Sequence, residues 1–120
     1  MIMIATSHAY GSVIASVYVM NTGEKIARHQ HTFPHTTSVA AGESEVEIYD
    51  SSIPFKMSLN MQPVELPALI DHEIRALVDG TVVINIQAAG PSHTVSYSKQ
   101  EPASSGGVML HDGTIVNEKN

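Results

Sequence analysis

Residues 23–42 read GEKIARHQHTFPHTTSVAAG, and three histidines, His29, His31 and His35, fall within seven residues of this stretch. In an extended strand, residues i and i+2 share a face. If residues 26–31 are extended, His29 and His31 aim the same way. Pro34 then ends the ladder, because it carries no backbone donor. His35 opens a new extended run, and a bend of that size brings it back beside the first pair. Neutral imidazole is a common ligand of zinc, copper, iron and nickel. Three imidazoles on one side would form one face of a metal shell. His72, in the segment PALIDHEIRAL, can supply a fourth position. Two plainer readings stand beside this one: solvated strand histidines, or the polar lining of a barrel that binds no metal.

The rest of the composition bounds the chemistry. A length of 120 residues suits one domain with a single core, and 42% apolar residues is ordinary for a globule. No apolar run is long enough to span a bilayer. The opening MIMIATSHAYGS lacks the basic and apolar regions of a signal peptide, so a cytoplasmic protein is expected. Cysteine is absent, which excludes disulfides, thiolate ligands and a cysteine nucleophile. Any metal must therefore be held by nitrogen and oxygen. A net charge of −6 with no basic patch argues against nucleic acid as a partner, and no membrane partner is expected. The serines lack a nucleophile-elbow context, and Gly106-Gly107 is not a phosphate loop.

Taken in order, the chain reads as short strands between turns. Residues 1–5, MIMIA, suit an edge strand or a dimer contact. Residues 11–20, rich in Val and Ile, form a strand that ends at the turn Asn21-Thr22-Gly23. Residues 24–31 carry the first histidine pair. Residues 36–41 and 44–49 read as a hairpin about Gly42-Glu43. Phe55, Met57, Leu59 and Met61 alternate on one face of the next run. Residues 64–66 make a short strand, and 67–71 a loop into His72. Residues 68–78 fit a helix and a strand about equally on propensity alone. Asp79-Gly80 reads as a hairpin turn before the strand 81–87. Residues 93–98 can add another strand. Residues 101–107, EPASSGG, read as a flexible connector, and 108–120 as a C-terminal hairpin or tail. Many short strands with Gly and Pro turns point to an all-β barrel or sandwich.

The histidine spacing resembles the first cupin motif, G-x5-H-x-H-x3-E-x6-G. Gly23, His29, His31, His35 and Gly42 keep every interval, with His35 where the motif has glutamate. Pro67 and His72 match the second motif, G-x5-P-x-G-x2-H-x3-N. Met61, Leu69 and Ala76 replace its two glycines and its asparagine. The resemblance covers about residues 11–88 and makes 1–120 a single cupin domain. It implies a double-stranded β-helix, or jelly-roll barrel, and selects the strand reading for 72–77. It also implies metal ligands at His29, His31 and His72, with His35 in the glutamate position, and a homodimer, since cupins often dimerise.

A histidine in place of that glutamate changes the charge balance. Four neutral ligands leave a divalent ion its full +2, which favours an anionic group of a small-molecule ligand. If His35 does not ligate, a three-histidine face remains, as in some dioxygenase-like cupins. The expected cofactor is one divalent transition metal: Fe, Ni, Cu or Zn. The expected function is a metal-dependent enzyme, dioxygenase-like or an isomerase or lyase, acting on a small molecule. The alternative is a non-catalytic binding or assembly module with a structural metal. Val39, Phe55, Met57, Leu59, Ile74 and Ile84 are the expected apolar lining of the ligand space. His8, His93 and His111 read as isolated surface residues.

Overall fold

The computed structural model describes residues 4–49, 54–59, 61–88, 95–97, 108–109 and 115–116. Every regular element among them is a strand. The strands are β1 (Ile4–Tyr10), β2 (Val13–Met20), β3 (Lys25–His31), β4 (His35–Ala41), β5 (Glu43–Ile48) and β6 (Phe55–Ser58). They continue with β7 (Val64–Leu66), β8 (His72–Ala76), β9 (Thr81–Ala88), β10 (Val95–Tyr97), β11 (Val108–Met109) and β12 (Ile115–Val116). One sheet has the order β1-β2-β9-β4-β7, and the other β12-β11-β3-β8-β5-β6 with β10 also paired to β3. Pairing is antiparallel except between β11 and β3. The result is a double-stranded β-helix, with residues 72–76 a strand rather than part of a helix.

The core follows from alternation. Tyr18 and Met20 on β2 and Val83 on β9 are buried on the inner side of one sheet, and Val46 on β5 and Ile74 on β8 on that of the other, where they form one core. The odd-numbered positions of β2 and the even-numbered positions of β9 lie on the outer side of their sheet. There Val17, Val19, Val82 and Ile84 are half-buried and Ile86 is exposed.

Two turns expected to close hairpins instead carry the chain from one sheet to the other. Strands β4 and β5 flank Gly42 but lie in different sheets, as do β8 and β9 around Asp79-Gly80. A turn dipeptide fixes a reversal of the chain and leaves the choice of strand partner to packing, here to the two-sheet core. These turns meet Asn21–Glu24 at one end of the barrel. Thr22 N donates to Asp79 Oδ1 (3.0 Å), Gly80 N to Asn21 Oδ1 (3.0 Å), and Leu77 N to the Glu43 carbonyl (2.9 Å). Two further expectations shift. The N-terminal strand extends to Tyr10 and pairs along its length with β2, because an edge strand tolerates the polar run Ser7-His8 on its open side. The run from Phe55 ends as a strand at Ser58, and Leu59 is 60% exposed.

Gly42 is where the crossing is tightest. Its φ is +78°, and a Cβ there would lie 2.9 Å from Thr81 Cα. The buried Thr81 hydroxyl sits between the carbonyls of Val78 and Glu43, at 2.8 and 3.0 Å. Left-handed backbone at a non-glycine residue costs about 1–3 kcal/mol, before any steric clash. Gly42→Ala should therefore lower unfolding stability by at least about 1 kcal/mol, read from urea midpoints. An unchanged midpoint would show that the corner relaxes freely.

Candidate metal centre

The histidines gather at the other end of the barrel. His31 is the last residue of β3, His35 the first of β4 and His72 the first of β8. His29 lies directly across from His72 in the β3–β8 ladder. That ladder slips by one residue between Ile26 and His29, so Ala27 and Arg28 oppose the single residue Glu73. The bulge resets the alternation, and both Ile26 and His29 are buried although an odd interval separates them.

The structure brings all four predicted histidines together, and all four are buried. One ring nitrogen from each falls within 4.8 Å of the others. His29 and His72 have ring centroids 4.5 Å apart, and His31 and His35 4.7 Å apart. Phe33 stacks on His31 at 4.3 Å with the planes 12° apart, which fixes that ring's orientation. Among the described residues, no carboxylate belongs to the cluster.

Hydrogen bonds assign ring nitrogens to roles. His29 Nδ1 donates to the Ala27 carbonyl at 2.6 Å, and His72 Nδ1 to the Ile70 carbonyl at 3.0 Å. A ring that donates from Nδ1 keeps its lone pair on Nε2. His35 is held differently: its Nδ1 lies 3.1 Å from the Thr37 hydroxyl. The loop that delivers His72 is anchored by Leu69 N, which donates to the His31 carbonyl at 2.8 Å. Leu69 stands where the second motif has glycine, and its φ is +65°. The backbone thus keeps the glycine-type conformation with a leucine in place, its side chain 66% exposed. Strain of this kind persists where surrounding structure enforces it.

On the outer face of the same strands, Asp71 clasps the two neighbours of His29. Arg28 Nε donates to Asp71 Oδ2 (3.0 Å), and Gln30 Nε2 to Asp71 Oδ1 (3.2 Å). The Arg28 guanidinium also lies 3.6 Å from the centre of the Tyr49 ring. The Tyr49 hydroxyl donates to Glu73 Oε1 at 2.6 Å; burial first, and then Glu73 and Glu47, push its pKa well above the usual phenol value. Lys25 and Glu73 form an ion pair at 2.8 Å, and Arg75 pairs with Glu45. These groups buttress the sheet from outside and face away from the histidines. Their pairings were not legible in the sequence, because the partners come from strands distant in the chain.

A cleft of about 370 Å³ opens beside His35, between Phe33, Pro34, Val13, Gln87 and Glu65. None of the six expected apolar lining residues borders it. Val39, Met57 and Ile74 belong to the core, Phe55 packs against it, and Leu59 is on the surface. Ile84 lies on the outer side of β9, because Val83 and Asn85 take the inner side. The error lay in treating every apolar strand face as ligand space, when most of the interior is filled by side chains. His8 is exposed, near the Thr6 hydroxyl. His93 and His111 lie outside the described residues.

Comparison with solved structures gives the fold a name. A conserved protein with a double-stranded β-helix domain from Klebsiella pneumoniae superposes with a TM-score of 0.66 at 16% identity, over 80% of this chain and 79% of that one. A cupin superfamily protein from Desulfitobacterium hafniense gives 0.59 at 17% identity, over 73% and 78%. The DMSP lyase DddQ from Ruegeria pomeroyi gives 0.67 at 17% identity, over 80% of this chain and 51% of that one. No protein-family model matches the chain, and no curated protein matches it in sequence. The chain has the cupin fold, with a four-histidine cluster inside the barrel.

Burial pushes the His29 imidazole below its ordinary pKa, against the opposing pull of the Ala27 carbonyl and Asp71. The unfolded chain therefore takes up a proton that the folded chain refuses. The stability contributed by neutral His29 is fully present above about pH 6.5 and is lost as pH falls below it. Without metal, the urea midpoint should fall as pH drops below about 6.5. The drop should be smaller in His29→Asn. Equal drops in the two proteins would mean that other groups carry the dependence.

Proposed function

We propose that His29, His31, His35 and His72 hold one divalent transition ion, and that the protein uses it in metal-dependent chemistry on a small molecule. One observation carries the reading: four buried imidazoles, three from residues 29–35 and the fourth from His72 on another strand, converge with a ligand atom each inside 4.8 Å. An all-nitrogen set suits iron, nickel, copper or zinc. A bound ion would act as a Lewis acid and, with neutral ligands only, would keep its full charge.

The cleft beside His35 is the approach route. Phe33, Pro34 and Val13 offer an apolar wall, and Gln87 a polar anchor. The wall favours a small ligand with an apolar body; Glu65 in the lining opposes an anionic group in the cleft, so a carboxylate or enolate would be drawn by the ion and not by the walls. Lyase or isomerase chemistry fits this arrangement, and a structural neighbour described as a lyase supports it. Dioxygenase-like chemistry is the second reading. It would need an open position in the shell, and His35, whose Nδ1 partner is the Thr37 hydroxyl and not a backbone carbonyl, is the ring whose tautomer could open one.

We also propose that the protein is a homodimer, with the outer side of β2 and β9 as its interface. Val17, Val19, Val82 and Ile84 present apolar, uncharged surface there. An acidic protein with a net charge of −6 meets its own copy at least electrostatic cost across such a face. Ile84→Lys should convert a dimer into a monomer in sedimentation equilibrium. A wild-type protein that sediments as a monomer at every concentration would remove this reading.

Elemental analysis of the untagged protein tests the metal site. Near-stoichiometric iron, nickel, copper or zinc is expected in the wild type and a large loss in His29→Ala and His72→Ala. If the wild type takes up no metal, even after reconstitution, the cluster is only a polar lining.

A further inference from the structure

His35 is supported unlike its companions. The rings of His29 and His72 donate to carbonyls two residues earlier in their own chain segments. A carbonyl can only accept, so those rings have no choice of tautomer. The group beside His35 Nδ1 is a hydroxyl, which can donate or accept. What decides is the next member of the chain. The Thr37 hydroxyl donates its single proton to Asn85 Oδ1 at 2.7 Å. It can therefore only accept from His35, so Nδ1 carries the proton and Nε2 the lone pair. Asn85 is 1% exposed, and Thr37 is fully buried opposite it in the β4–β9 ladder. Water has no access with which to reset this order.

The arrangement leaves one donor unused. Asn85 Nδ2 is buried and makes no hydrogen bond. A reversed amide would place that N–H toward Thr37. The threonine proton would then point to His35 Nδ1, and the ring proton would move to Nε2. In that state His35 cannot ligate through Nε2. One amide orientation thus separates a four-nitrogen centre from a three-nitrogen one.

We propose that Thr37 and Asn85 are positioning residues that hold His35 in its Nδ1–H tautomer and so make it the fourth metal ligand. The proposal rests on the reading of the four histidines as a metal site, but part of its test needs no metal. Nitrogen-15 NMR of the metal-free protein reads the tautomer of each ring directly. In the wild type, His35 should be protonated at Nδ1. In Thr37→Val, which keeps the shape and removes the hydroxyl, it should shift toward Nε2–H, while His29 and His72 stay unchanged. Thr37→Ser should restore the wild-type pattern. A purely structural role would not separate valine from serine in this way.

With Cu2+ as probe, the electron paramagnetic resonance spectrum should show four coupled nitrogens in the wild type and in Thr37→Ser, and three in Thr37→Val. Affinity for Zn2+ should fall by about tenfold or more in Thr37→Val, the usual effect of losing a group that orients a ligand. An unchanged His35 tautomer in Thr37→Val overturns the proposal and leaves the metal site standing. If the wild type binds neither ion, the metal reading fails, and with it the claim that His35 is a fourth ligand. Thermal unfolding of the metal-free variants controls for loss of fold.

Discussion

Ala27 and Arg28 of β3 stand opposite the single residue Glu73 of β8, and the interior depends on that mismatch. In an unbroken strand, Ile26 and His29 would face opposite sides. The extra residue turns the phase, so Ile26 meets Ile74 in the core while His29 meets His72 one layer up. Without it, β3 could supply apolar core or imidazoles, but not both. The bulge also frees the Ala27 carbonyl to receive the His29 ring. Bulges re-aim side chains in this way next to functional sites. Here the bulge switches the strand from core-forming to imidazole-presenting within three residues.

The two ends of the barrel divide the work. At one end, Asn21–Glu24, Gly42 and Leu77–Gly80 lock the sheet crossings together through backbone and side-chain hydrogen bonds. At the other end the strands finish in histidines, and their outer side is braced by Asp71, Arg28 and Gln30. The buried Lys25–Glu73 pair lies between these ends, on the outer side of β3 and β8. A buried ion pair is weak evidence for net stability but costly to break singly. Its plain effect is to fix β3 against β8, the two strands whose register places His29 opposite His72.

Much of the site was legible in the sequence because its spacing is local. The interval His29-x-His31 predicts a shared face, and both rings point inward. Pro34 predicts the break that returns His35 to them. His72 was legible through its resemblance to the second motif, and Leu69 does take the backbone conformation of the glycine it replaces. The misses share a cause. Gly42 and Asp79-Gly80 announce turns, but which sheet the next strand joins depends on contacts across the barrel. Likewise the cleft at Phe33, Pro34 and Gln87 arises where separate segments meet, and no alternation within one strand reveals it. Thr37 was visible as the residue two places after His35 on the same face. Its importance was not, because Asn85, which sets its proton, lies 48 positions away.

Burying four imidazoles in a small barrel is expensive unless each ring is satisfied or coordinated. The fold meets that cost in part with fixed acceptors, the Ala27 and Ile70 carbonyls, and with the stacked ring of Phe33. Those supports are rigid and admit one state each. The His35 support is a hydroxyl and an amide, both able to reverse. A glutamate at this position would bring a negative charge and need no tautomer control. A histidine brings no charge, and its capacity to ligate depends on which nitrogen holds the proton. Replacing the motif glutamate by histidine therefore moves part of the control of the site from the residue itself to Thr37 and Asn85 behind it.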